Sequence, residues 1–388
     1  MKGEKTDGPL RITRLELENW RNFSGVDIEL TGRVFLIGPN ASGKSNFLDS
    51  VRFLRDIVDV GGGFQQAVRQ RGGVSRLRCL AARQYPDVGV KVTLGSEARS
   101  AVWRYEIRFT QDNRQRPILK KESVRAAGKQ LLDRPDAHDQ QDPERLTQTY
   151  LEQVNVNQNF RPIADFLKTV RYLHIVPQLV REPDRSVGRT NDPFGGDFLA
   201  QLARTSVKTR TARLRRIRDA LRVAVPQLTE LELWSDVRGT PHLRGRYEHW
   251  RPQGAWQTEL DFSDGTLRLL GLLWAALDGA GPLLLEEPEL SLHPEVVRLV
   301  PQIFARIGRR TGRQVFVSTH STSLLEDDGI GLDEVLILEP QAEGTRVKLA
   351  TSIREMNDLL KGGSTLADVL MPYTRPQRVQ QLTLFGER

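Results

Sequence analysis

The chain opens with alternating apolar and polar positions. Residues 12–19 (ITRLELEN) and 26–30 read as paired strands, and 33–37 (RVFLI) is a short apolar run of strand character. The period then changes: Phe47, Leu48, Val51, Leu54 and Val58 share one face of a helix predicted over 45–58. Beyond the flexible stretches at Gly61-Gly-Gly63 and Gly72-Gly73, strand alternation returns near 88–94, 101–109 and 119–124.

From about 127 to 144 the chain turns polar (RPDAHDQQDPE), which predicts an exposed excursion. Helical spacing follows over 146–169 and 197–223, around a strand-like 171–176 and a Pro/Gly/Asp-rich loop at 177–196. The last third has apolar strand runs at 281–285, 314–319 and 335–339, and a polar turn at 261–266 that opens an apolar helix. There is no internal repeat and no long heptad run. The expected fold is α/β with mixed sheets, divided into an N-terminal part (1–126), an inserted, mainly helical lobe (127–225) and a C-terminal part (226–388) that completes the first.

Gly38-Pro-Asn40-Ala-Ser42-Gly43-Lys44-Ser45 has the spacing G-x-x-x-x-G-K-[ST] of a phosphate-binding loop, with a strand before it and a helix after it. Such a loop turns backbone N–H groups toward a phosphate chain at the positive end of a helix. Lys44 adds charge near the terminal phosphates, and Ser45 offers a hydroxyl to Mg2+. This predicts a nucleotide site.

A second apolar strand ends in Glu286-Glu287, two acids that can divide the work of holding magnesium and orienting an attacking water. A third ends at His320, which alone would more often be structural but beside the loop and the acids reads as a contact for a γ-phosphate or the attacking water. Ser263-Asp-Gly265-Thr at a helix start is a second anion-binding turn. One nucleotide scarcely needs two such turns from the same subunit.

Composition narrows the partners. Lys and Arg number 57 against 49 Asp and Glu, a net charge of +8. Eight of the basic residues lie in 201–222, against the single Asp219, and Lys208, Arg210, Arg213, Arg215, Arg216 and Arg218 are candidates for DNA phosphates. The stripe suits a solvated helix face equally well. The one cysteine, Cys79, excludes an intramolecular disulfide and a multi-cysteine zinc site and fits a reducing cytoplasm. No apolar run has membrane-spanning length, and the N-terminus lacks a signal-peptide core. Six scattered histidines lack metal spacing, and neither a G-x-S-x-G elbow nor a dinucleotide fingerprint occurs. Trp103, Trp250 and Trp256 lie in strand-like segments, which favours packing over base stacking. His293, before Pro294, reads as shaping a helix start.

The motif order resembles that of ABC-type ATPase heads, in the RecF/SMC/OLD-like branch. Asn19-Trp-Arg-Asn-Phe23 resembles the start of RecF-like heads, and Glu286-Glu-Pro-Glu-Leu-Ser-Leu-His-Pro294 resembles a segment of OLD nucleases and related stand-alone ATPases of bacterial defence or DNA repair. The resemblance implies ATP and Mg2+ as cofactors. It assigns Lys44 and Ser45 to phosphate and magnesium, Glu286 to magnesium, Glu287 to the catalytic base and His320 to the switch histidine. Arg21 and Asn22 would lie near the nucleotide, and Gln178 would be the magnesium-contacting Q-loop residue. Ser263 and Gly265 would close on the ATP of a second subunit, giving a homodimer around two ATP.

Two departures stand out: Glu286 replaces the more common Asp, and Ser-Asp-Gly-Thr lacks the glycine pair of transporters. OLD members continue into a TOPRIM nuclease, whose Asp-x-Asp pair does not follow residues 335–339 here. The reading is an ATP-driven DNA clamp or sensor that licenses a separately encoded effector such as a nuclease. The alternatives are a nucleotide-gated protein scaffold and a transporter-type ATPase subunit.

Overall fold

The computed structural model describes residues 8–82, 86–182, 192–249 and 255–375. Trp250 and the middle of the expected 177–196 loop lie outside these residues.

Strand β1 (Arg11–Trp20) pairs with β2 (Phe23–Glu29), and β3 (Arg33–Ile37) leads through the glycine loop into the helix Lys44–Val58. β4 (Val88–Gly95), β5 (Trp103–Gln111), β6 (Pro117–Ala126) and β7 (Lys129–Arg134) extend the hairpin into a six-stranded antiparallel sheet, in the order β2-β1-β4-β5-β6-β7. After β8 (Arg171–Leu173), three strands, β9 (Leu228–Ser235), β10 (Pro241–Tyr247) and β11 (Ala255–Thr258), form a small sheet of their own. β12 (Leu283–Glu286), β13 (Val315–Thr319), β14 (Val335–Gln341) and β15 (Gly344–Leu349) complete a second six-stranded sheet, ordered β15-β14-β3-β13-β12-β8. In it only β15 runs antiparallel to its neighbour.

The central strands β3, β12, β13 and β14 of that sheet are buried on both faces, which is why they read as apolar runs. Val34, Leu36, Leu284 and Phe316 face a core shared with the helix Lys44–Val58 and the antiparallel sheet. Their neighbours Phe35, Ile37, Leu285 and Val317 face a second core with Val300 and Phe304 of the helix Val300–Thr311. A third core lies under the small sheet, where the helices Phe198–Arg204, Val207–Leu221 and Asp264–Leu277 meet. Among the described residues, no helix is long and apolar enough to cross a membrane.

The segment expected as an inserted helical lobe is distributed differently. β7 pairs with β6, so residue 127 falls inside a hairpin, and β8 joins the edge of the second sheet. The helix expected over 146–169 shrinks to Arg161–Lys168. Side-chain carboxylates take the backbone donors that a longer helix would use: buried Glu122 accepts from the amides of Tyr150 (2.8 Å) and Leu151 (3.1 Å), and half-buried Glu152 accepts from that of Thr149 (2.8 Å). Glu122 is itself held by the fully buried Arg134 at 3.0 Å.

Gln314, 2% exposed, ties β13 to β1. Its side chain accepts from the Ile12 amide (2.9 Å) and donates to the carbonyls of Ile12 and Thr31 (both 2.7 Å). Gln314→Ala leaves these buried groups unsatisfied and should cost about 2–4 kcal/mol. Urea unfolding checks this, and a loss below about 0.5 kcal/mol would contradict it.

Candidate functional site

Five parallel strands present their carboxyl ends on one side, where open α/β sheets bind ligands. The loop after β3 is shaped by two glycines. A Cβ at Gly38 would stand 2.5 Å from the Leu338 carbonyl oxygen, and Gly43, at φ +98°, has room for none because Asn22 Nδ2 lies 2.1 Å from where it would be. Asn22 braces the loop from outside: its Nδ2 donates to the Ser42 carbonyl (2.9 Å) and to Thr345 Oγ1 (2.7 Å), while its Oδ1 accepts from Asn46 Nδ2 (2.8 Å). Arg21 holds the following helix through Asp49 at 3.2 Å. Asn40 and Ser45 are exposed. Lys44 and Ser45 begin the helix, where amide N–H groups have no intrahelical acceptor, and the buried Ser42 hydroxyl has no partner among the described residues. These free donors fit a polyphosphate.

The Lys44 ammonium donates to the carbonyls of Gly38 (3.0 Å) and Pro39 (3.2 Å) and to His320 Nε2 at 2.6 Å. Burial lowers the lysine from its ordinary 10.5 to about 8, against the pull of Glu287, Glu286 and Glu289. Burial, then Lys44, also pushes His320 down, so its ring accepts at Nε2 as the neutral form. Glu287 Oε1 stands 3.5 Å from the same nitrogen.

Glu286, the last residue of β12, instead accepts hydrogen bonds from the hydroxyls of Ser45 and Tyr172. Ser45 and Glu286 supply adjacent hard oxygens suited to Mg2+, which takes one or two protein groups besides phosphate oxygens. Sequence reasoning missed Tyr172. The parallel pairing of β8 with β12 brings it beside the acid, and the strand-like reading of 171–176 is the only sequence signal for it. Gln178 lies exposed on the short helix Pro177–Val180, whereas His174 Nδ1 lies 3.2 Å from the Glu286 carbonyl oxygen.

Ser263 caps the helix Asp264–Leu277, accepting from the Thr266 amide at 3.2 Å. Gly265 packs against the loop after Glu287, with its missing Cβ 2.5 Å from the Ser291 carbonyl oxygen. Among the described residues, no hydrogen bond joins this turn to the phosphate loop of its own chain.

Residues 33–326, more than half of the chain, match the sequence family described as "AAA domain, putative AbiEii toxin, Type IV TA system". The chain belongs to that family. Solved structures similar to this family member include SMC heads. "Crystal structure of the SmcHead bound to the C-winged helix domain of ScpA" aligns with a TM-score of 0.55 at 15% identity, covering 87% of this chain and 96% of that one. The Smc head domain with an extended coiled coil from Pyrococcus furiosus, bound to the C-terminal domain of ScpA, gives 0.55 at 13% identity over 92% and 100%. The Pyrococcus yayanosii Smc head domain gives 0.50 at 11% identity over 90% and 100%. No curated protein matches the sequence. The AAA-domain chain thus has the fold of an ABC-type ATPase head of the SMC kind, as the resemblance implies.

The basic stripe of this AAA protein is divided by its contacts. Arg213 pairs with Asp278 (2.7 Å) and stacks on Trp274, Arg218 pairs with Asp219 (2.6 Å), and Arg210 turns back to the carbonyls of Leu202, Ala203 and Thr205. Lys208, Arg215 and Arg216 are exposed. Trp103 is partly buried against the first core, and Trp256, 43% exposed, lies beneath the Arg244 guanidinium on the small sheet. His293 caps the helix Pro294–Val297.

Lys44 gives the site a pH signature. The folded protein releases this proton near pH 8 and the unfolded chain near 10.5, so between these values the unfolded state binds more protons and raising the pH stabilises the fold. The stability of wild type relative to Lys44→Met should rise from about pH 8 to 10.5. Paired urea titrations measure it, and a flat difference would contradict the burial of the ammonium.

Proposed function

We propose that this chain binds and hydrolyses ATP, dimerises around two ATP molecules, associates with DNA and thereby controls a separate effector protein in defence or DNA repair. The observation that carries the proposal is the convergence of Lys44, His320 and Glu287 within 2.6 and 3.5 Å beside the free amides of the helix start at Lys44 and Ser45. In this reading the loop amides and Lys44 hold the phosphates of ATP, and Ser45 and Glu286 hold Mg2+. Bound there, Mg2+ would neutralise charge on the phosphate oxygens. Glu287 takes the proton of the attacking water, and neutral His320 hydrogen-bonds the terminal phosphate.

Dimerisation is supported by the Ser263–Gly265 turn, an anion-binding helix start with no bond to its own phosphate loop among the described residues. DNA association is supported by the exposed Lys208, Arg215 and Arg222, spaced by seven so that they share one helix face. The effector reading draws support from the solved Smc heads bound to domains of a separate protein, ScpA. A second reading, a nucleotide-gated protein scaffold, is favoured by one observation: Arg210, Arg213 and Arg218 are committed to contacts within the chain.

Lys44→Ala should weaken ATP binding. Glu287→Gln should keep ATP affinity and lose on the order of 100-fold or more in kcat, the usual contribution of a general base. Phosphate release and nucleotide titration measure these effects, and equal turnover in wild type and Glu287→Gln would remove the base assignment.

For DNA, replacing Lys208, Arg215 and Arg222 together with Ala should reduce the slope of log affinity against log salt by roughly 2–3 on duplex DNA. An unchanged slope, or no DNA binding by the wild type, would favour the scaffold.

A further inference from the structure

Past β12, the chain adopts backbone that side chains normally avoid. Glu287 has φ +44° and Ser291 φ +61°, and neither is glycine. Such geometry persists only where the surroundings over-determine it. One clip is the Glu287 amide donating to the Ser318 carbonyl at 3.0 Å.

The other is a side chain that no role yet uses. Glu289 Oε1 accepts from Thr319 Oγ1 at 2.5 Å and from the His320 amide at 3.2 Å. The loop that carries the proposed base is therefore fastened, through one carboxyl oxygen, to the two residues that end β13 and begin the His320 loop. Thr319 is wholly buried, so its hydroxyl has no water to replace this acceptor.

We infer that Glu289 is a positioning residue for ATP hydrolysis, locking the Glu287 loop to the His320 loop; this rests on the ATPase reading above. Its second oxygen supports a role beyond holding the fold. Oε2 is buried with no hydrogen-bond partner among the described residues, an arrangement that costs stability and that a purely structural carboxylate avoids. Burial, with Glu287 nearby, also pushes this carboxyl up. The locked loop also reaches the signature turn, because the Ser291 carbonyl oxygen fills the space beside Gly265. Closure of a second subunit on that turn would therefore bear on Glu287 and His320 together.

Full-length Glu289→Ala and Glu289→Gln test this. The amide oxygen of Gln can still accept from Thr319 and His320, so Glu289→Gln should keep kcat within about threefold of wild type. Glu289→Ala should lose on the order of 10–100-fold in kcat, the scale of an ångström-sized misplacement, with KM and ATP affinity nearly unchanged.

A nucleotide-free readout accompanies the kinetics. Histidine hydrogen–deuterium exchange followed against pH should show the His320 pKa displaced from its wild-type value in Glu289→Ala and staying in place in Glu289→Gln. Normal turnover in Glu289→Ala, a Gln variant as slow as the Ala variant, or an unmoved His320 would overturn the inference. A wild type that hydrolyses no ATP, with His320 shifting as expected, would instead sink the ATPase reading and with it the hydrolytic role of Glu289, leaving only the loop contact.

Discussion

The site depends on one constraint, the parallel register of β3, β13 and β12. Ile37 pairs with Thr319 and Ser318 with Glu286, so Gly38, His320 and Glu287 leave the sheet side by side. A slip of one residue would turn every apolar side chain of a strand toward the opposite core and separate the three groups. Burial on both faces forbids that slip, since Leu36 and Ile37 belong to different clusters. The same packing that stabilises the sheet therefore sets the geometry of the candidate site.

Electrostatics follow from that geometry. Lys44 stands among three carboxylates, yet burial outweighs their attraction and the ammonium is held near 8. A polyphosphate would supply the charge this lysine lacks, which gives the site a reason to prefer a strongly anionic ligand. His320, kept neutral by burial and by Lys44, accepts the lysine's hydrogen bond instead of repelling it. Ser45 and Tyr172 both serve Glu286, so the two adjacent acids have separate surroundings from the start.

Much of this is legible in the sequence, because the phosphate loop, the acid pair and the histidine each follow an apolar strand and carry their chemistry locally. Contacts made across the fold are not. Tyr172 reaches Glu286 only through strand pairing over more than a hundred residues, and Asn22 braces Gly43 by filling the space its missing side chain leaves. Glu289 reads as one more acid until β13 is laid beside it. Of the small sheet, the segment around Trp256 reads as strand-like, whereas β9 and β10 escape because their outer positions hold paired charges, Arg244 with Glu232 and Arg246 with Glu230, which blur strand alternation. Residues 146–160 have helical spacing, yet side-chain carboxylates take their amides.

The central claim is that ATP joins two heads by seating the Ser263–Gly265 turn of one on the nucleotide of the other. Its most direct test is the solution mass of Glu287→Gln with and without ATP and Mg2+, with Ser263→Arg in the same background as a control. The account predicts a monomer that becomes a dimer only with ATP and remains a monomer when Ser263 is replaced. A mass indifferent to ATP, or a dimer that survives Ser263→Arg, would contradict it.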